Sequence, residues 1–176
     1  ADVDALLSPV PLPEDPALRV EVEQAFTALA DAHALRDAGR YQVGLQRATE
    51  LAARVDRLGY APLQAEALEV LGDFQERTGD FPAAAESLRR AVLEAERGRD
   101  VRRAARALAE LVWVVGHQQS DRDAGMDAAR HADALLEGVG GDLAIGALVA
   151  STRGAVLLDR GDLAEAEAEI RRALEA

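Results

Sequence analysis

The chain has no cysteine, which excludes disulfides, thiolate nucleophiles and cysteine zinc sites and leaves the redox compartment unread. Lysine is missing too, because all 20 basic residues are arginine. Schiff-base chemistry, a P-loop lysine and the nucleotide-pairing lysine of a protein kinase are therefore absent from these 176 residues. Acidic residues number 32, giving a net charge of −12. A field of that sign repels phosphate backbones and anionic headgroups, so neither nucleic acid nor membrane is an expected partner. Aromatic residues make up only 3%. The longest apolar stretch, Leu111 to Val115, falls far short of the roughly 18 residues that cross a bilayer. The N-terminus has no basic region leading into an apolar signal core, so a cytoplasmic location is expected.

What fills the chain instead is alanine, 38 residues of it, beside abundant Leu, Glu and Arg, the composition of packed helices. Residues 1–15 hold Pro9, Pro11 and Pro13, which forbid continuous helix and predict an extended, proline-rich linker. Asp15 then suits an N-cap and Pro16 a first helical turn. From there apolar-periodic stretches alternate with breaks at Gly39-Arg40, Gly59-Tyr60, Gly79-Asp80, Gly98 to Asp100, Ser120-Asp121, Gly138 to Asp142 and Gly161-Asp162. They predict eight helices near 16–38, 42–58, 62–78, 82–97, 101–119, 122–137, 142–160 and 163–175. The chain starts without Met and stops within a helical pattern at Leu174-Glu175-Ala176, so a piece of a longer protein is expected.

Alternate breaks repeat. Gly39-Arg40-Tyr41, Gly79-Asp80-Phe81, Ser120-Asp121-Arg122 and Gly161-Asp162-Leu163 are separated by 40, 41 and 41 residues. One unit is then a helical hairpin, and the repeat region 16–176 divides at about 16–60, 61–99, 100–141 and 142–176. Small residues recur three positions after the aromatic or leucine, at Gly44, Ala84, Gly125 and Ala166, and seven later at Ala91, Ala132 and Ala173, with Leu51 at the fourth such position. Small side chains there let two antiparallel helices approach closely, while Leu88 and Ile170 fill the space beside them.

Leu71-Gly72, Gly79-Asp80-Phe81, Ala84, Leu88 and Ala91 resemble the tetratricopeptide (TPR) signature, as do Gly154, Gly161, Leu163, Ala166, Ile170 and Ala173. The first unit departs at Ala32, and the third at Trp113, Ser120 and Arg122. The resemblance implies an all-α solenoid of about four hairpins in a right-handed superhelical arc. Ala1 to Leu6, Pro13-Glu14-Asp15, Ala38-Gly39-Arg40-Tyr41, Leu58-Gly59-Tyr60, Pro62 to Leu68, Trp113 to Gly116 and Ala129 to Ala132 further resemble the repeat region that follows the catalytic domain in myxobacterial-type, eukaryotic-like serine/threonine protein kinases. That likeness implies a docking or regulatory segment of a bacterial signalling protein. The catalytic domain is not in this chain, which has no HRD or DFG element. A ligand- or peptide-sensing TPR domain of a transcriptional regulator is the alternative.

In TPR arrays the first helix of each hairpin lines a concave groove. Projected here, the groove rows hold Phe26, Glu66, Ala107 and Leu148, then Leu29, Glu69, Glu110 and Ser151. His33, Asp73, Val114 and Ala155 follow, and Arg36, Glu76, His117 and Leu158 complete the set. The acidic middle predicts a basic protein or peptide partner, with Phe26, Leu29, Val114 and Leu158 as apolar anchors. The competing expectation is a solvated acidic surface partly paired with Arg. The Lys and Asn with which chaperone-binding relatives hold a terminal carboxylate have no counterpart in these rows.

No catalytic residue, cofactor site or metal site is expected. His33, His117 and His131 are the only imidazoles and lack the spacing of a helical zinc pair, although His117 and His131 share a hairpin. Gly138-Val139-Gly140-Gly141 reads as a turn, with neither strand nor Lys beside it. Trp113 is expected in the core of the third hairpin, in the slot where two others carry Gly72 and Gly154. The last unit has an apolar edge at Leu163, Ile170 and Leu174, predicting cover by a further repeat or by self-association.

Overall fold

The computed structural model describes residues 10–175. Among them are eight helices: α1 (Pro16–Asp37), α2 (Tyr41–Asp56), α3 (Ala61–Arg77), α4 (Phe81–Arg97), α5 (Val101–Leu111, continued as π-helix over Val112–Gln118), α6 (Arg122–Gly138), α7 (Leu143–Arg160) and α8 (Leu163–Glu175). There is no strand among the described residues. Of the expected linker, residues 1–9 lie outside the described residues. Residues 10–15 are not helical, and the Tyr60 hydroxyl donates to the Val10 carbonyl at 3.2 Å.

The helix starts follow from local chemistry. Asp15 accepts from the Ala17 amide at 2.8 Å with Pro16 in the first turn, satisfying a donor that has no partner within the helix. Asp80 and Asp121 accept from the amides of Ala83 and Ala124 at 3.2 Å each, and Asp142 from that of Ile145 at 3.1 Å. Three of these caps follow a residue in the left-handed region: Gly79 at φ +86° before Asp80, Ser120 at φ +60° before Asp121, and Gly141 at φ +90° before Asp142.

The chain forms two compact units, meeting in sequence between Asp100 and Val101. In the N-terminal unit α1 packs on α2 and α3, α2 on α3, and α3 on α4. The C-terminal unit has the same pattern: α5 on α6 and α7, α6 on α7, and α7 on α8. Each unit is thus two hairpins whose first helices also touch. In the N-terminal unit Val22, Ala25, Leu29 and Ala32 of α1 close onto Ala48, Leu51 and Val55 of α2 and onto Leu63, Ala67, Leu71 and Phe74 of α3. Phe74 is wholly buried, a burial that contributes about 2–3 kcal/mol.

Small residues set how near the helices come. A methyl group at Gly72 would sit 2.9 Å from Leu88 Cγ, and one at Gly154 2.9 Å from Ile170 Cγ1. Both contacts lie inside a hairpin, the second and the fourth, where Leu88 and Ile170 were expected to fill space. At Gly44 the crowding comes from the next hairpin, because a methyl there would fall 2.1 Å from the Phe74 ring.

The third hairpin departs from expectation. Its seam is made by Gly116 against Gly125, where a methyl on Gly125 would lie 2.6 Å from Gly116 Cα. No indole fits between backbones that close, so Trp113 does not pack in the core. It is half-buried and stacks on His117, ring centroids 4.2 Å apart. The π-turn that achieves this takes up an extra residue. The amide of Asp121 reaches back to the Val115 carbonyl, six residues away, whereas those of Asp80 and Asp162 reach only five, to Gln75 and Leu157.

Candidate functional site

Helices α1 and α3 place the groove residues of the N-terminal unit side by side. His33 Nε2 lies 3.8 Å from Glu66 Oε1, and Arg36 Nε lies 4.0 Å from Asp73 Oδ2. The contacts run diagonally between the projected rows, since long side chains reach across more than one turn. Arg36 also pairs with Asp37 at 3.1 Å, and Arg77 Nε donates to Asp73 Oδ1 at 2.8 Å. The Arg77 guanidinium rests over the Tyr41 ring, 5.3 Å from its centroid. Partial burial acts to lower the Arg77 pKa, but its hydrogen bond to Asp73 and the Asp73 charge, helped by Tyr41, outweigh it and raise the value. Asp73 Oδ2 is enclosed and accepts no hydrogen bond.

Phe26 stands 40% exposed on α1, two turns before His33 on the same side of the helix. Glu66, Glu69 and Glu76 on α3 are half-buried, and each already has a polar or charged partner. Leu29 corrects the expectation of an apolar anchor. It is 1% exposed and belongs to the core, because α1 presents it to α2 and α3 rather than to solvent.

In the C-terminal unit Glu110 of α5 lies 3.8 Å from Arg106, one turn earlier. Val114 is 1% exposed, so it too is interior and not an anchor. His117 is half-buried, with Nδ1 2.6 Å from Asp159 Oδ2 of α7. Asp159 was not among the expected residues. The projection assigns that row to the neighbouring Leu158, and the π-turn rotates His117 away from its nominal position. Among the described residues no group of three or more His, Asp or Glu is placed to hold a metal ion.

No family model matches the chain, and no curated protein matches it.

A second charged cluster escaped sequence reading. Arg153 of α7 is buried and donates to Asp133 of α6 at 2.5 Å and to Glu169 of α8 at 3.0 Å. Burial acts to lower its pKa, yet the hydrogen bond and charge of Asp133, followed by those of Glu169, raise it. The three side chains tie three helices together. Their separations along the chain, 20 and 16 residues, match no helical period and give no signal in sequence. No helix among the described residues is long and apolar enough to cross a membrane.

Proposed function

We propose that the chain is a non-catalytic, TPR-type docking module of a larger bacterial signalling protein of the serine/threonine kinase class, and that its α1–α3 face recognises a basic segment of protein. The hairpin seams at Gly72 and Gly154 support the repeat assignment. The observation that carries the recognition is Asp73, whose Oδ2 lacks a hydrogen-bond donor beside half-buried Arg36. Because that oxygen is enclosed, an incoming guanidinium would reach it by displacing Arg36, whose Nε lies 4.0 Å away, and would then supply the missing donor. Exposed pairs of this kind contribute about 0–1 kcal/mol each, so affinity is modest and falls with salt. The kinase parentage rests on sequence likeness, and a catalytic lysine and HRD element in the upstream coding sequence would test it.

The test of recognition is fluorescence anisotropy with a labelled peptide alternating Arg and Ala. Glu66→Gln with Asp73→Asn should weaken binding by up to about tenfold, the equivalent of about 1.4 kcal/mol. Equal affinity for a Glu-rich peptide, or no change in the double variant, would refute the reading. A second reading, a ligand- or peptide-sensing TPR domain of a transcriptional regulator, draws on a cleft of about 560 Å³ in the C-terminal unit whose lining includes Asp133, Glu137, Leu143 and Arg172. A metabolite that raises the melting temperature would favour it.

A further inference from the structure

Helix α8 packs on α7 and turns a second stripe outward, formed by Leu163, Glu167, Arg171 and Leu174, all exposed. Leu163 is 66% exposed and Leu174 83%, and Leu143 at the start of α7 is 75% exposed. Leu143 borders a shallow depression with Ala168, Arg171 and Arg172. Leu143 lies beside the C-terminal half of α8 and Leu163 at its N-terminal end, so exposed leucines frame both ends of the helix, a surface of the kind that soluble proteins use for contacts.

The order of charges along the stripe identifies the occupant. Glu167 precedes Arg171, and Leu163 and Leu174 stand at the two ends, about 16 Å apart at the helical rise. Turned about a two-fold axis near Ala168, this stripe matches itself. Leu163 meets Leu174 of the second copy, and Glu167 meets Arg171 of the second copy, each contact occurring twice. Within one copy Glu167 and Arg171 already pair at 2.7 Å, so pairing with a second copy shares an existing ion pair rather than creating one from solvated charges. Two-fold self-complementarity is what an isologous dimer requires.

We propose that α8 docks antiparallel against α8 of a second copy of this chain, with Leu143 flanking the contact. This surface is distinct from the α1–α3 face and does not depend on it. One helix of 13 residues and one flanking leucine make an interface below the standard size, so the dimer is weak and exchanging. The net charge of −12 on each copy opposes association, an effect largely screened at physiological salt, where the Debye length is about 8 Å.

Sedimentation of the whole chain from about 10 to 500 µM at physiological salt tests the proposal. The expected result is a rise from monomer to dimer mass across that range. Leu174→Glu should abolish the rise while leaving the circular dichroism melt unchanged. Glu167→Arg and Arg171→Glu should each weaken association at least about tenfold, and the two together should restore it to within about threefold. The double exchange also restores the pair within each helix, so Leu174→Glu stands as the independent check. A monomer mass throughout would overturn the proposal and leave the face to another occupant, such as a further hairpin. A dimer indifferent to Leu174→Glu or to the single charge changes, or not restored by the double exchange, would overturn it equally.

Discussion

Replacing four glycines by alanine, one at a time, should give a graded series that reads out helix approach. At Gly44 the new methyl would fall 2.1 Å from Cε1 and 2.2 Å from Cζ of Phe74, a ring with no exposure and no room to turn. Overpacking at such a site costs about 3–4 kcal/mol, the upper end of its usual range and beyond. The gain in helix propensity returns about 0.8–1 kcal/mol, leaving a net loss of about 2–3 kcal/mol. At Gly72 the neighbour is Leu88 at 2.9 Å, a flexible side chain, and the net loss should be about 1 kcal/mol. At Gly154 the neighbour is Ile170, also at 2.9 Å but 37% exposed and free to swing outward. The two effects should nearly cancel there. Gly146 has nothing within 4 Å, so alanine should stabilise by about 0.8–1 kcal/mol. Urea denaturation followed by far-UV circular dichroism, compared at constant slope, measures the series. Each variant should be compared within its own unit, because stacked repeats need not unfold in one step. If Gly44→Ala proved as stable as the parent, or Gly146→Ala proved as damaging as Gly44→Ala, the close-approach argument would fail.

Three other outcomes follow from the same geometry. Ser120 and Arg99 hold φ of +60° and +57°, a conformation costing a side chain roughly 1–2 kcal/mol that glycine largely avoids. Each change to glycine should raise stability by about 0.5–1 kcal/mol in the same denaturation assay, once glycine's own chain entropy is deducted. Arg153→Met should destabilise the C-terminal unit by about 2 kcal/mol, less than a fully buried pair would lose because Asp133 is 38% exposed. Adding Glu169→Leu should recover part of that loss, and thermal melts would show it. Tyr60→Phe removes the hydroxyl that donates to Val10, so brief proteolysis should cut residues 10–15 several-fold faster while the helices persist.

The fold was largely legible because punctuation in this chain is chemical. Every helix end lies within two residues of the expected place: Asp15 caps as read, and at the expected breaks Asp80 and Asp121 prove to be caps whose side chains hold first-turn amides. The hairpin seams were legible for the same kind of reason, small residues recurring at one register. The third seam was not. Leu111 to Val115 is uniformly apolar, so no face stands out, and nothing in it announced a π-turn that would turn Trp113 outward and bring Gly116 inward. The groove rows were legible in part. His33, Arg36, Glu66 and Asp73 do meet, whereas Leu29 and Val114 lie in the core. Helix α3 shows why: it buries Leu63, Ala65, Ala67, Leu68, Val70, Leu71 and Phe74 on most of its circumference, so in alanine-rich helices spacing alone does not separate a groove face from a seam.

Chemical-shift mapping tests the account most directly. Titrating the Arg and Ala peptide into isotopically labelled chain should shift the amides and side chains around His33, Arg36, Glu66, Glu69, Asp73 and Glu76, and Asp73→Asn should reduce those shifts at the same peptide concentration. A peptide that moves none of these signals, or moves signals of the C-terminal unit alone, would contradict the claim that the α1–α3 face is built for recognition.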